Sequence, residues 1–313
     1  MSNIIDFLYR NYRITNILVL FCVFINSYSQ QLPLHNQYIY NPLIINPSFA
    51  GVPYVPYFNL TTKSQWIGFA DGISTVSLSG NYPLSESQGV GGTIFQDNTG
   101  AISITAFELD YAFKFSLNED YSMSLGLGLI PYQYLYNSDL VNPNLFDPVL
   151  DISDKKTSFD ANFGLFVYSD FLYAGFSILN IIQSSNIASL SDDEPNQLVR
   201  HYYALIGYKY FNASSKIGFE QNILMRNTAY SGAQFDFNIK TNFNELFWIL
   251  CGYRTNNEIL AGFGIKYGRF ALIYSIDINM GTIGDYSNSS HEFGFVYYLN
   301  DSKFFDWGSN LNK

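Results

Sequence analysis

The chain has 313 residues, 18% aromatic (28 Phe and 26 Tyr) but only 13% charged, and a formal net charge of −10. A soluble domain carries about 25% charged residues, which argues against that class. A pI near 4.6 with no basic stripe excludes a nucleic-acid surface.

Residues 1–30 read as a secretory signal peptide: Arg10 and Arg13 supply the positive start, Ile14 to Ile25 the apolar core, and Ser27 to Gln31 the cleavage region. The core spans about twelve residues, short for a retained anchor helix, and polar residues follow at once. Cys22 lies inside it among bulky neighbours and does not resemble a lipid-attachment cysteine. The mature chain would keep one cysteine, Cys251, and so no intramolecular disulfide.

Residues 31–56 differ in kind. Pro33, Pro42, Pro47, Pro53 and Pro56 forbid a continuous helix or ladder. Tyr38, Tyr40, Leu43, Ile44, Ile45 and Phe49 are nevertheless too apolar for a solvated linker, although a disordered leader stays the alternative. A segment of this kind needs a surface to lie on, and the elements that follow supply one.

Those elements are strands, predicted at 57–66, 73–82, 89–97, 101–115, 120–136, 158–168, 171–179, 200–211, 214–226, 231–241, 244–254, 257–267, 269–278 and 288–299. The period of two is plainest near the end, where Phe247, Ile249, Cys251 and Tyr253 alternate with Trp248, Leu250, Gly252 and Arg254. One face is large and apolar, the other small or polar, and each run is about ten residues, the length a tilted strand needs to cross a bilayer. The fold class is therefore all-β: a transmembrane, antiparallel, up-and-down barrel of about 14 strands over 57–299. Residues 31–56 would form its irregular plug or mouth segment, and 300–313 a tail. A soluble sandwich would alternate too, but it would not combine so many aromatics with so few charges.

Asn118-Glu119-Asp120, Tyr168-Ser169-Asp170, Asn212-Ala213 and Asn256-Asn257 read as hairpin turns. Two longer connections, 137–157 and 182–198, follow the fifth and seventh strands and carry Asp139, Asp147, Asp151, Asp154 and Asp192-Asp193-Glu194. Both fall on the outer side if the first strand starts in the periplasm. Their spacing matches no EF-hand, so solvated loops are preferred over a calcium site. A third connection, 281–290, is small and polar.

Alternation assigns Glu108, Asp110 and Lys114, then Asp160 and Asn162, then Lys216, Gly218, Glu220 and Asn222, then Asp236, Asn238 and Lys240, and Arg254 and Lys266 to the inward face. Charges of both signs suit salt-bridged filling better than a selective filter. His35, His201 and His291 are far apart in sequence, and no metal, nucleotide or nucleophile motif is present, so no cofactor, metal or catalytic residue is assigned. Gly89-Val90-Gly91-Gly92 opens a strand, not a helix, and reads as a packing feature.

Gln37-Tyr38-Ile39-Tyr40-Asn41-Pro42-Leu43, followed by Asn46-Pro47-Ser48-Phe49-Ala50-Gly51, resembles the opening signature of the PorP/SprF family. Further blocks match in order: Gln65-Trp66-Ile67-Gly68-Phe69 with Asp71-Gly72, Gly89-Val90-Gly91 with Asp97 to Gly100, Gly164-Leu165 to Tyr168 with Phe171 to Gly175, His201-Tyr202-Tyr203, and Ser290-His291-Glu292. The resemblance runs from about Gln37 to Leu299. It implies an outer-membrane protein of the type IX secretion system of Bacteroidetes, in a setting associated with gliding motility. The implied role is non-enzymatic: holding a secreted adhesin or cargo at the surface, or coupling to periplasmic machinery. A transporter or porin with residues 31–56 as a hatch is the competing reading. The residues expected to seat the segment or couple a partner are Tyr38, Tyr40, Asn41, Pro42, Asn46, Pro47 and Gly51, then Trp66 and Phe69 at the first hairpin. Pro42 and Pro47 would fix its turns, and Gly51 would take a backbone angle closed to other residues.

Overall fold

The computed structural model describes residues 36–52, 55–68, 72–137, 154–184, 197–212, 214–244, 246–281, 287 and 289–300. The expected signal peptide, most of both acidic connections, Phe69, His35 and residues 301–313 lie outside this set.

Fourteen strands follow one another: β1 (Tyr57–Ile67), β2 (Ile73–Pro83), β3 (Gln88–Thr99), β4 (Ile102–Ser116), β5 (Ser122–Tyr136), β6 (Asp154–Tyr168), β7 (Leu172–Leu179), β8 (His201–Asn212), β9 (Ile217–Thr228), β10 (Gln234–Phe243), β11 (Phe247–Arg254), β12 (Glu258–Tyr267), β13 (Phe270–Asn279) and β14 (Ser289–Tyr298). Each pairs antiparallel with its sequence neighbours, and β14 returns to β1, closing the barrel. Every predicted strand has a counterpart within a few residues. The largest difference is at β6, which starts at Asp154 and not at 158.

The sequence forms a barrel because its amphipathicity is inverted. On β4, Leu109 is 54% exposed while the adjacent Asp110 is 1% exposed, and the pattern repeats around the sheet. Phe107, Tyr111, Phe113, Ile206, Phe237, Ile265 and Phe295 face out; Lys63, Asp160, Asp236, Lys240, Arg254 and Glu292 face in. Closure satisfies every strand's backbone without water, which is what lets such an exterior stand in hydrocarbon. Connections after even-numbered strands are short, as at Leu117 to Tyr121, where the Asn118 side chain accepts from the backbone N–H groups of Asp120 (2.9 Å) and Tyr121 (2.8 Å). Both long connections leave the other end, after β5 and β7, which by the usual asymmetry is the outer one.

The interior departs from the expected pairing in two respects. Lys216 is not inward; it lies in the β8–β9 turn with φ +52° and is exposed. Three carboxylates of β3 to β6, Asp97, Glu108 and Asp160, are met by neutral donors, with no ion pair to Lys or Arg among the described residues, whereas neither oxygen of the buried Asp110 has a donor among them. Asp97 accepts from Thr75 (2.5 Å), Glu108 from Asn162 (2.5 Å), and Asp160 from the backbone N–H groups of Ala161 and Ile182 (2.8 Å each). Ion pairing is concentrated opposite. Arg254 bonds Asp236 (3.0 Å) and Glu258 (2.5 Å), Arg226 also pairs with Asp236, Lys240 meets Glu220 (2.5 Å), and Lys63 meets Asp277 (3.2 Å). Lys266 stands 4.8 Å from the centre of the Tyr298 ring.

Candidate functional site

Three single turns of 3₁₀ helix, Gln37–Ile39, Pro42–Ile44 and Pro47–Phe49, form the stretch before β1. Two start on prolines, whose fixed φ suits the first helical position and whose missing N–H would be unused there. Before Pro47, Asn46 caps the turn by accepting from the Ser48 N–H (2.9 Å) and hydroxyl (2.6 Å). The chain then leaves at Gly51, with φ +67°. Each local rule read from the sequence at Pro42, Pro47 and Gly51 is met by this geometry.

From Asn36 to Val52 the segment lies against the inward side chains of the strands. Asn36 donates to Glu292 (2.8 Å, from its N–H) and Asp277 (2.5 Å) and accepts from Arg254 (3.0 Å). The Tyr38 hydroxyl accepts from Asn238 (2.5 Å); Asn41 donates to Ser79 (2.9 Å) and accepts from the Tyr57 hydroxyl (2.9 Å). Asn46 donates to the Leu165 carbonyl (3.2 Å), and Ser177 and Ser124 donate to the carbonyls of Ile45 (2.5 Å) and Ser48 (2.7 Å). At the exit, the Gly51 N–H donates to Asn81 (2.5 Å) while its carbonyl accepts from Lys114 (2.7 Å). Strands on every side of the barrel thus take part.

Apolar contacts fill the remaining space. Tyr40 packs on Trp248 with ring centres 5.6 Å apart and under Lys240, and Phe49 lies 4.1 Å from Phe166. With Leu43, Ile45 and Val52 these side chains form one buried cluster with Tyr173, Leu224 and Leu250. Burial, reinforced by Asp236, holds the Tyr38 hydroxyl well above the usual tyrosine range; burial does the same to Tyr40, against a smaller opposing effect from Trp248.

A row of inward glycines makes this approach possible. A Cβ at Gly164 would stand 1.9 Å from Asn46 Oδ1, one at Gly126 2.3 Å from the Ser48 nitrogen, one at Gly89 2.3 Å from the Ala50 oxygen, and one at Gly91 2.8 Å from the Leu43 side chain. The wall formed by β3, β5 and β6 therefore carries an imprint of the segment. Beside it remains a cavity of about 50 Å³, lined by Ile44, Ile45, Glu108, Tyr132, Asn162 and Arg226 among others.

Tyr38, Tyr40, Asn41, Pro42, Asn46, Pro47 and Gly51 are thus brought together inside the barrel. Trp66 is not: it sits in the bulge between Ser64 and Ile67, at the far end of β1 from Tyr57, with its N–H on Ser290 (3.1 Å). The sequence reading missed Gly126, Asn81, Ser124 and Ser177, and it placed Lys114 inward without its bond to Gly51. Their only local signal is smallness or polarity at inward positions of the period-two pattern.

A family model described as type IX secretion system membrane protein PorP/SprF matches residues 27–297. No curated protein matches the sequence. Among solved structures, the toluene transporter TbuX of Ralstonia pickettii aligns with a TM-score of 0.51 at 9% identity, over 83% of this chain and 94% of that one. The toluene transporter TodX of Pseudomonas putida aligns with a TM-score of 0.43 at 11% identity, over 89% and 95%. At such identity the TbuX likeness speaks to the barrel fold alone.

Proposed function

Because the chain belongs to the PorP/SprF family of type IX secretion system membrane proteins, we propose that it is a non-enzymatic accessory barrel that holds or supports a secreted surface protein. A membrane protein of this system built as a closed antiparallel barrel resides in the outer membrane, and its crossing strands face lipid with the exposed Phe, Tyr, Leu and Ile side chains. The proposed partner is a secreted adhesin or cargo of the type IX pathway, with periplasmic components of the machinery as the second contact.

One observation carries this reading. Residues 36–52 are bonded to the wall on every side and fitted to it by glycine gaps, an arrangement suited to a fixed plug and ill suited to a conduit. A barrel closed in this way offers its two ends and not its lumen, which favours protein contacts over solute passage. Under the transport reading, with the segment as hatch, all of these bonds would have to break together.

The test is a mild-detergent pull-down of the tagged protein from its native outer membrane, with an unrelated barrel as control. Recovery of one large secreted protein or of periplasmic secretion components supports the proposal. Recovery of the barrel alone, together with stable single-channel conductance in planar bilayers, overturns it. Replacing Asn41 and Asn46 by alanine separates two roles of the segment: reduced barrel abundance marks structural seating, whereas normal abundance with lost partner retention marks coupling.

A further inference from the structure

The outer rim of the barrel is uneven. Ile178, one residue from the end of β7, pairs with Phe163 of β6, but β6 continues upward to Asp154. β5 and β4 climb with it in register, Tyr136 opposite Asp154 and Ile102 opposite Tyr136, and β3 reaches Thr99 opposite Ile102. At about 3.3 Å per residue and a tilt of about 40°, this wall rises on the order of 20 Å above the end of β7. It has a small core of its own on the inward side, where Ala106, Ile130, Tyr132 and Tyr134 pack with Leu198 and with Phe95 and Ile104.

Its outward side changes character with height. Ile94, Phe107, Pro131 and Phe159 form the last apolar row across β3 to β6. The next outward row, joined pair by pair across the ladder, is Gln96, Thr105, Gln133 and Thr157, all exposed. Above it comes Asn98, Ser103, Leu135 and Lys155. Gln96 donates to Ser103 (3.5 Å), and Ser103 donates to Asn98 (2.7 Å). On β11 to β13 the outward face stays apolar to the outer end, as Tyr253, Ile259 and Ile278 attest.

We infer that the outer face of this wall is a binding surface for the sugar-phosphate headgroup of outer-leaflet glycolipid. The face continues the lipid-contacting band without a break, directly above its last wholly apolar row, with Leu135 as an apolar side chain among its polar ones. Its amide and hydroxyl side chains match sugar hydroxyls as hydrogen-bond partners, and Lys155 supplies a cation for a phosphate. A protein-docking face would carry aromatic and arginine anchors, and this one has neither.

The test compares the intact barrel with the variant Gln133→Glu/Lys155→Glu, each extracted from the outer membrane in mild detergent. Native mass spectrometry then counts retained glycolipid. Folding is checked by the shift of the unheated band on gels. The expected result is a roughly tenfold loss of glycolipid in the variant, with no displacement of glycolipid from the parent by phosphatidylglycerol or inorganic phosphate. As a second measurement, a photoreactive side chain at Gln133 in the otherwise unchanged protein should crosslink glycolipid. Equal retention, no crosslink, or displacement by inorganic phosphate alone would overturn the inference. So would unchanged glycolipid with loss of a secreted protein, which would assign the face to a protein partner.

Discussion

Replacing Gly164 by alanine tests the imprint at its tightest point. The added methyl would lie 1.9 Å from Asn46 Oδ1 and 2.9 Å from the Ser48 nitrogen, so the Asn46 carboxamide must leave. Its departure removes the cap on Ser48 (2.9 Å and 2.6 Å) and the bonds to the Leu165 (3.2 Å) and Phe176 (3.4 Å) carbonyls. A lost cap costs about 1 kcal/mol and each further bond about 0.5–1.5 kcal/mol; overpacking adds about 1–3 kcal/mol. The expected total is about 3–7 kcal/mol, read as a lower unfolding midpoint and as protease cleavage before β1. Asn46→Ala alone should cost about 2–4 kcal/mol by the same terms. The double variant should cost less than the sum of the two, because the 1.9 Å clash is gone and only the 2.9 Å approach to the Ser48 nitrogen remains, which gives a coupling energy above about 1 kcal/mol. Additive costs, or a Gly164→Ala protein with its segment still protected, would refute the close approach. Gly126→Ala is the contrast. Its methyl meets the Ser48 backbone at 2.3 Å, and no side-chain deletion should rescue it.

Gly51→Ala should destabilise by about 1–3 kcal/mol in the same unfolding assay, since φ is +67° and the new methyl would stand 2.5 Å from Gly89 Cα. Lys114→Met strips the buried Gly51 carbonyl of its 2.7 Å donor and should cost about 1–3 kcal/mol, with cleavage appearing near residue 51. Arg254→Met leaves Glu258 and part of Asp236 without their cation and removes the donor to the Asn36 side-chain oxygen; a loss of about 3–5 kcal/mol is expected, measured by denaturant titration. The raised Tyr38 and Tyr40 hydroxyls stabilise the fold in full below the unfolded tyrosine value of about 10, and this contribution is lost as pH rises above it. The Tyr38→Phe/Tyr40→Phe variant should therefore lose less stability between pH 9 and 12 than its parent, on the order of 1 kcal/mol or more.

The strands were legible because period two is a local signal, and inverted burial follows from it without knowledge of any partner. The same signal explains the error at β6. Above the last apolar row the outward side chains become Thr157 and Lys155, alternation disappears, and the strand reads as loop although the ladder continues to Asp154. Pairing inside the barrel was less legible. Glu108, Asp110 and Lys114 share a face, but positions four apart on a strand are about 13 Å from each other. Lys114 instead reaches Gly51, which is 63 residues away in sequence. The kind of the amino-terminal segment was visible in its prolines and aromatics. Its seat was not, because Gly126, Gly164 and Ser177 meet it only after the barrel has closed.

The two halves of the wall hold the segment by different physics. Toward its start, Asn36 joins the charged network of Arg254, Asp236, Glu258 and Asp277, where each buried charge depends on its partners. Toward its end, residues 43–51 rest in a groove of glycine and serine on β3 to β7, where fit depends on the absence of side chains and the one charged contact is Lys114 on the Gly51 carbonyl. Salt screens surface pairs far more than buried ones, and it does not reach steric fit at all. Displacing the segment would require both ends to release at once, by unrelated means. That asymmetry supports the proposed reading, in which partners are sought at the ends of the barrel.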